Sequence, residues 1–371
     1  MEASIKLGRI KDIPIGLHWS LLLVFGLLTW SLAQGYFPDE YPSLPGSAHW
    51  FLAVLTSLLF FGSVLLHELG HALVALRNSI PVRQITLFIF GGVAQLEQET
   101  RSPGAEFRIA IAGPLVSLGL AGLFGGLYLL DQHIPYLAAP SYWLARINLL
   151  LALFNLIPGF PLDGGRVLRA IIWHYTGSMH RATQAASFTG QLVAFGFIGW
   201  GVYTIFTGSF FNGLWLAFIG WFLQNAAAAS FAQSNIQEAL RGIKVSQVMN
   251  RDYPTIPSIL SLNQVVEEKV LAGGQRTFFV SDNGHPRGLL TLRDVTAVPQ
   301  PKWRLTTVEQ VMIPLKRLTH VPPTMELLTA LQVMDKADVA QMPVVENDEV
   351  VGLLSRDQVL HYIRTRAELG I

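Results

Sequence analysis

His67-Glu68-Leu69-Gly70-His71 lies inside one apolar run, and about ninety residues later a second polar cluster, Asn155-Leu-Ile-Pro158-Gly-Phe-Pro161-Leu-Asp163-Gly164-Gly165, interrupts another. Residues four apart share one face of a helix, so His67 and His71 are spaced to hold one tetrahedral zinc while Glu68 reaches a metal-bound water as general base. Such a site needs a third protein ligand. A carboxylate at membrane depth is expensive unless it pairs or binds a cation, and that singles out Asp163. The chemistry these residue types predict is hydrolysis assisted by one Zn2+ per chain, carried out within the bilayer. Asn155 has the side chain to hydrogen-bond a scissile carbonyl or a developing oxyanion, and a role in capping or bridging helices explains it equally well.

The elements that must carry these groups are hydrophobic. The chain has 371 residues, a net charge of +1 and a mean hydropathy of +0.41, too apolar for an ordinary soluble enzyme. Only 22 of the first 240 residues are charged, against 29 of the last 131, so a membrane portion is followed by a soluble one. The small net charge gives no nucleic-acid surface, and the absence of cysteine excludes disulfides, thiolate ligands and a cysteine nucleophile.

Apolar stretches predict six spans near 15–34, 48–76, 106–130, 141–158, 186–207 and 211–234. The first, Ile15 to about Ala33, reads as a retained anchor rather than a cleaved signal. Lys6, Arg9 and Lys11 precede it and the loop after it has no basic residue, so the N-terminus is expected in the cytoplasm. Arg77, Arg83, Arg101, Arg108, Arg166, Arg169 and Arg181 then fall on the cytoplasmic side, with Arg146 the exception. This topology sets both polar clusters at matching depth, toward the cytoplasmic ends of the second and fourth spans. His18 and His49, beside Trp19 and Trp50, are expected as interfacial anchors.

Gln84 to Leu96 is too short to span as a helix and is rich in strand formers, which predicts a small hairpin or re-entrant strand. Its edge is suited to pairing with an unwound substrate, with Phe90, Gly91 and Gly92 as the expected contact and the glycines permitting close backbone approach; a connecting loop packed on the protein explains the segment equally well. The tail from about 241 repeats itself: Val245-Ser-Gln-Val-Met249 matches Val308-Glu-Gln-Val-Met312, and Gly288-Leu-Leu-Thr291 matches Gly352-Leu-Leu-Ser355. Each copy reads strand, helix, two strands, helix, giving two small α/β units.

On these motifs, with Gly113-Pro114 at the start of the third span and Arg166 closing the second cluster, the chain resembles the site-2 protease family of intramembrane zinc metalloproteases. The likeness is to its six-helix branch with cytosolic CBS (cystathionine β-synthase) domains. The resemblance implies an α-helical polytopic membrane protein with about six transmembrane helices and a small membrane-embedded β element, followed by an α/β tandem CBS module. It divides the chain into 1–235, 241–300 and 304–367. By resemblance His67, His71 and Asp163 are zinc ligands, Glu68 the base, Asn155 a substrate- or intermediate-binding residue, and 83–97 the element that clamps substrate; no room is left for a PDZ insertion. The implied substrate is the transmembrane segment of a membrane-tethered regulatory protein, in the plasma membrane, with the N-terminus and CBS domains cytoplasmic. CBS domains pair into discs and bind adenine nucleotides at a Gly-x-x-Thr/Ser-x-x-Asp motif. Gly288, Thr291 and Asp294 fit it; in the second repeat Gln358 takes the aspartate position. ATP, ADP or AMP, and a homodimer formed through the CBS domains, are the expected partners. The rival class, a channel or transporter with regulatory CBS domains, predicts polar residues strung along a pore, whereas the ionisable groups here gather at one depth.

Overall fold

The computed structural model describes residues 4–89, 91–98, 100–282, 285–347 and 349–369, and the chain divides into two compact units, Met1–Ser234 and Asn235–Ile371. In the first unit, strands β1 (Ile5–Ile10) and β2 (Ile13–Leu17) precede helix α1, Ser20–Glu40, which includes a π-helical turn at Leu32–Tyr36. Helix α2 (Gly46–Arg77) follows, then β3 (Val82–Phe88) and β4 (Gly91–Leu96). Helices α3 (Pro103–Asp131), α4 (Pro135–Asn155), α5 (Asp163–Thr176), α6 (Met179–Phe206) and α7 (Phe210–Ala239) follow, the last running a few residues past the boundary at Ser234.

Six of these helices, all but α5, are long and apolar enough to cross a bilayer. Their outer faces carry Leu22, Leu27, Phe51, Leu58, Leu130 and Trp215 exposed, as contact with lipid requires, while small residues such as Ala53, Ala139, Ala152 and Ala186 are buried between helices. The protein is a multi-pass membrane protein.

The β element is larger than the expected hairpin. β3 and β4 pair antiparallel as the sequence predicts, but β2 adds to β3 in parallel, Ile15 opposite Ile85, and β1 closes the order β1-β2-β3-β4. The first helix therefore begins at Ser20, not Ile15, because Ile13–Leu17 forms a largely buried strand: Ile13 packs with Ala72 and Ile85 against α2, and Ile15 is buried too. The fourth span also shifts, ending at Asn155, and the segment holding Pro158 and Pro161 is non-helical as expected. Gly113-Pro114 lies well inside α3, which starts at Pro103 with Ser102 accepting from the Ala105 N–H. His49 is buried and bonded to the Tyr41 carbonyl (3.0 Å), an internal tie rather than an interfacial anchor.

In the second unit, β5 (Thr255–Ile256), β6 (Thr277–Asp282), β7 (His285–Thr291) and β8 (Ile313–Pro314) form one sheet, and β9 (Gln341–Glu346) pairs with β10 (Glu349–Ser355) in another. Helices at Leu327–Lys336 and Arg356–Leu369 flank the second sheet, and each repeat has its own apolar core, around Phe278, Val280 and Leu290 in one and Met342, Val344 and Leu354 in the other.

Candidate metal centre

His67 and His71 occupy successive turns of α2 and are almost wholly buried. Their Nε2 atoms stand 3.3 Å apart, and Asp163 Oδ2, at the first turn of α5, lies 3.2 Å from one and 3.1 Å from the other. A tetrahedral zinc with bonds of about 2.0–2.1 Å separates its ligand atoms by about 3.3–3.4 Å, so the triangle has the right size. The other ring nitrogens are occupied. His71 Nδ1 meets the Ile109 carbonyl at 2.7 Å, an acceptor only, so Nδ1 carries the proton and neutral His71 presents a lone pair at Nε2. His67 Nδ1 meets Ser117 Oγ at 2.8 Å. Two imidazole nitrogens and a carboxylate oxygen converging in a buried place fit a cation, and the ring partners orient the histidines as supporting groups around a metal do.

Gly113 of α3 faces this triangle. A Cβ there would come within 2.1 Å of His71 Nε2 and 2.6 Å of His67 Nε2, so only glycine leaves room for both rings. Asp163 is delivered by the break between α4 and α5. Gly164 and Gly165 let that loop fold back on the helix it precedes, and the Phe160 N–H bonds to the Ala186 carbonyl of α6 (3.1 Å). Irregular backbone at this depth is thus satisfied by protein.

Glu68 projects toward the sheet. Its Oε2 accepts the Ala94 N–H of β4 at 3.1 Å, and a Cβ on Gly92 would sit 2.3 Å from Glu68 Cγ. Ala94 is paired with Ile85 in register, yet its N–H points to the outer edge of the sheet, the edge a further strand would join. Phe90 lies outside the described residues.

Asn155 can be placed by register. Phe60 meets Trp143 edge-on (5.7 Å), Ser63 Oγ accepts from Asn148 Nδ2 (3.3 Å), and Val64 shares a cluster with Leu151, so α2 and α4 run parallel. Continuing about two turns from Ser63 and Asn148 along both helices brings Asn155 level with Gly70, between the two histidines, on the face that carries Asn148.

Sequence pattern alone does not mark Ser117, the Ile109 carbonyl or Glu106. A second buried cluster gathers around Glu106 at the start of α3: Arg166 Nε (3.1 Å) and Arg169 Nη2 of α5 donate to its Oε1, and Thr100 donates to Oε2. A carboxylate in the first turn of a helix reads as a favourable end charge, which conceals this second role.

In the second unit, Thr291 and Asp294 meet each other. The Thr291 N–H (2.9 Å) and hydroxyl (2.6 Å) both donate to Asp294 Oδ2, capping the turn Leu292–Thr296. A Cβ on Gly288 would lie 2.5 Å from the Ile313 carbonyl, so the pairing of β7 with β8 already demands glycine. The same cap recurs at Ser355 and Gln358.

Residues 55–134 and 131–197 match Peptidase family M50, and residues 245–300 and 308–365 match the CBS domain. Rip3 of Mycobacterium tuberculosis, which bears a zinc metalloprotease name, is 36% identical over 369 residues, covering 98% of this chain and 93% of its own. The similarly named sll0528 of Synechocystis is 35% identical over 381 residues, covering 99% and 97%. Zinc metalloprotease MJ0392 of Methanocaldococcus jannaschii is 38% identical over 199 residues, about half of each chain (52% and 52%). Among solved structures, the site-2 protease of the same archaeon is 30% identical and covers 61% of this chain and 94% of its own, with a TM-score of 0.42.

Proposed function

The chain belongs to peptidase family M50, the zinc metalloproteases of site-2 type, and from that membership we propose that it cuts a peptide bond in or beside the transmembrane segment of a membrane-tethered regulatory protein. Membership in a peptidase family removes the channel or transporter reading. The observation that carries the proposal is the triangle of His67 Nε2, His71 Nε2 and Asp163 Oδ2, 3.1–3.3 Å on each side, with the half-buried carboxylate of Glu68 next to His67 in the chain.

His67, His71 and Asp163 are assigned as ligands of one zinc. Zinc in that place supplies Lewis acidity and a water whose pKa is lowered to about 7. Glu68 takes the proton of the attacking water on its carboxylate and returns it to the nitrogen of the departing amine. Asn155, level with the histidines, donates its amide N–H to the oxygen of the carbonyl under attack. A helical substrate hides its amides, so it must unwind; the outer edge of β4 offers backbone groups for an added strand, with Gly91 and Gly92 allowing close approach. Phe90 is assigned to the same contact. The basic residues before α1 orient the N-terminus and the CBS pair toward the cytoplasm of the plasma membrane.

The experiment is cleavage of a candidate membrane substrate by purified protein with zinc measured alongside. Glu68→Gln is expected to retain one zinc per chain and lose activity by about 100-fold or more, whereas Asp163→Ala loses the metal. Full activity in Glu68→Gln removes the assigned base. For the CBS pair we assign Gly288, Thr291 and Asp294 to an adenine nucleotide, ATP, ADP or AMP, which modulates cleavage, with a homodimer formed through these domains. Because Asp294 also caps its helix, Asp294→Asn is the better variant; loss of nucleotide heat in calorimetry with unchanged melting supports the assignment, and unchanged heat opposes it.

A further inference from the structure

Glu106, Ile109, Gly113 and Ser117 recur at intervals of three and four along α3, so they lie on one face of it. Three of them act on the histidines: Ser117 holds the ring of His67, the Ile109 carbonyl holds that of His71, and Gly113 leaves space for both. The fourth is 1% exposed and faces α5. Glu106 binds Arg166 and Arg169, about one and two turns beyond Asp163. The Arg169 guanidinium also lies 5.1 Å over the ring of Phe160, in the loop just before Asp163. The backbone on both sides of Asp163 is therefore tied to a single carboxylate on the helix that orients the other two ligands.

We infer that Glu106 is a positioning residue for the metal centre: through Arg166 and Arg169 it sets Asp163 at the third corner of the triangle. This rests on the reading of His67, His71 and Asp163 as zinc ligands. Glu106 touches none of the three and exchanges no proton; its part is to fix where Asp163 Oδ2 stands. Removing a supporting partner of a metal ligand typically weakens metal binding by about 10–100-fold, and the same is expected here.

The test compares full-length wild type, Glu106→Gln, Glu106→Asp and Thr100→Val in detergent, reading the zinc dissociation constant by chelator competition and the melting temperature with and without zinc. Wild type with one zinc per chain and Asp163→Ala with none establish the underlying reading independently; if wild type binds no zinc, that reading fails first. Given zinc in wild type, Glu106→Gln should raise the dissociation constant by about 10–100-fold and shrink the zinc-induced rise in melting temperature. Glu106→Asp should recover part of the loss, and kcat should fall with KM little changed. A role in stability alone would lower melting of the metal-free and loaded forms equally and leave zinc affinity at the wild-type value, and that result overturns the inference. Should Glu106→Gln fail to fold, Glu106→Asp and Thr100→Val decide it by the same constant: weakened zinc supports the inference and unchanged zinc refutes it.

Discussion

At the scale of single residues, the metal centre is organised by what α3 does not carry as much as by what it does. Alanine at Gly113 would place a carbon 2.1 Å from His71 Nε2, and such overpacking costs about 1–3 kcal/mol where the backbone can yield. Gly113→Ala is accordingly expected to leave the protein inserted but stripped of zinc, a difference that metal analysis of the purified protein detects. The residues assigned as ligands, and Glu68, are legible in the sequence because a histidine pair and carboxylates within apolar runs are costly in lipid unless a cation or a partner meets them. Ser117 is not legible, since serine is common between packed membrane helices, and a backbone carbonyl such as that of Ile109 leaves no mark on a sequence. In the CBS pair, the Ser258 hydroxyl (2.8 Å) and N–H (3.1 Å) hold the Asp282 carboxyl below its usual range. A carboxyl whose folded pKa is lowered stabilises the fold above its unfolded pKa of about 4 and ceases to do so as the pH drops through the folded value. Ser258→Ala should move the Asp282 titration upward toward about 4, observed by carboxyl-carbon NMR.

Among the elements, the sheet is where sequence and structure part. The hairpin β3–β4 is readable from its β-branched residues, but β1 and β2 are not. Ile13–Leu17 runs into α1 with little interruption, and hydropathy over a window of about 19 residues cannot register a change of period within so short a segment. The end of the fourth span is readable because two prolines forbid continuation, whereas the first turn of α5, which delivers Asp163, follows only from packing against α3 and α6. The contact of β4 with α2 can be tested by itself. Alanine at Gly92 would press on Glu68 Cγ and displace either strand or carboxylate. Gly92→Ala should keep its zinc while turnover falls by about 100-fold or more, as expected for a misplaced base. Unchanged turnover would show that the strand tolerates the displacement.

For the whole molecule, the division into a membrane unit and a repeat unit follows from a rise in charge density and from the recurrence of two short residue strings in the tail. Each unit has its own core, so each should melt in its own transition. Zinc at a hundredfold excess over its dissociation constant adds about 2.7 kcal/mol to the state that binds it. Calorimetry before and after chelation should move the membrane transition and leave the other in place; a shift in both would contradict the separation.

The parallel pairing of β2 with β3 links the segment entering α1 to the segment leaving α2, two points that a full out-and-back passage of the chain keeps apart in sequence. The parallel register, with Ile15 opposite Ile85 and Leu17 opposite Leu87, and the bond from the His18 N–H to the Leu87 carbonyl (2.8 Å) act as a ruler for that helical hairpin. A slip of β2 against β3 by one residue would turn Ile13 away from Ala72 and Ile85, so the pleat admits no small slip. Glu68 rides on one of those helices and Ala94 on the neighbouring strand, and the distance between them is consequently gauged by the sheet rather than by the thickness of the surrounding lipid.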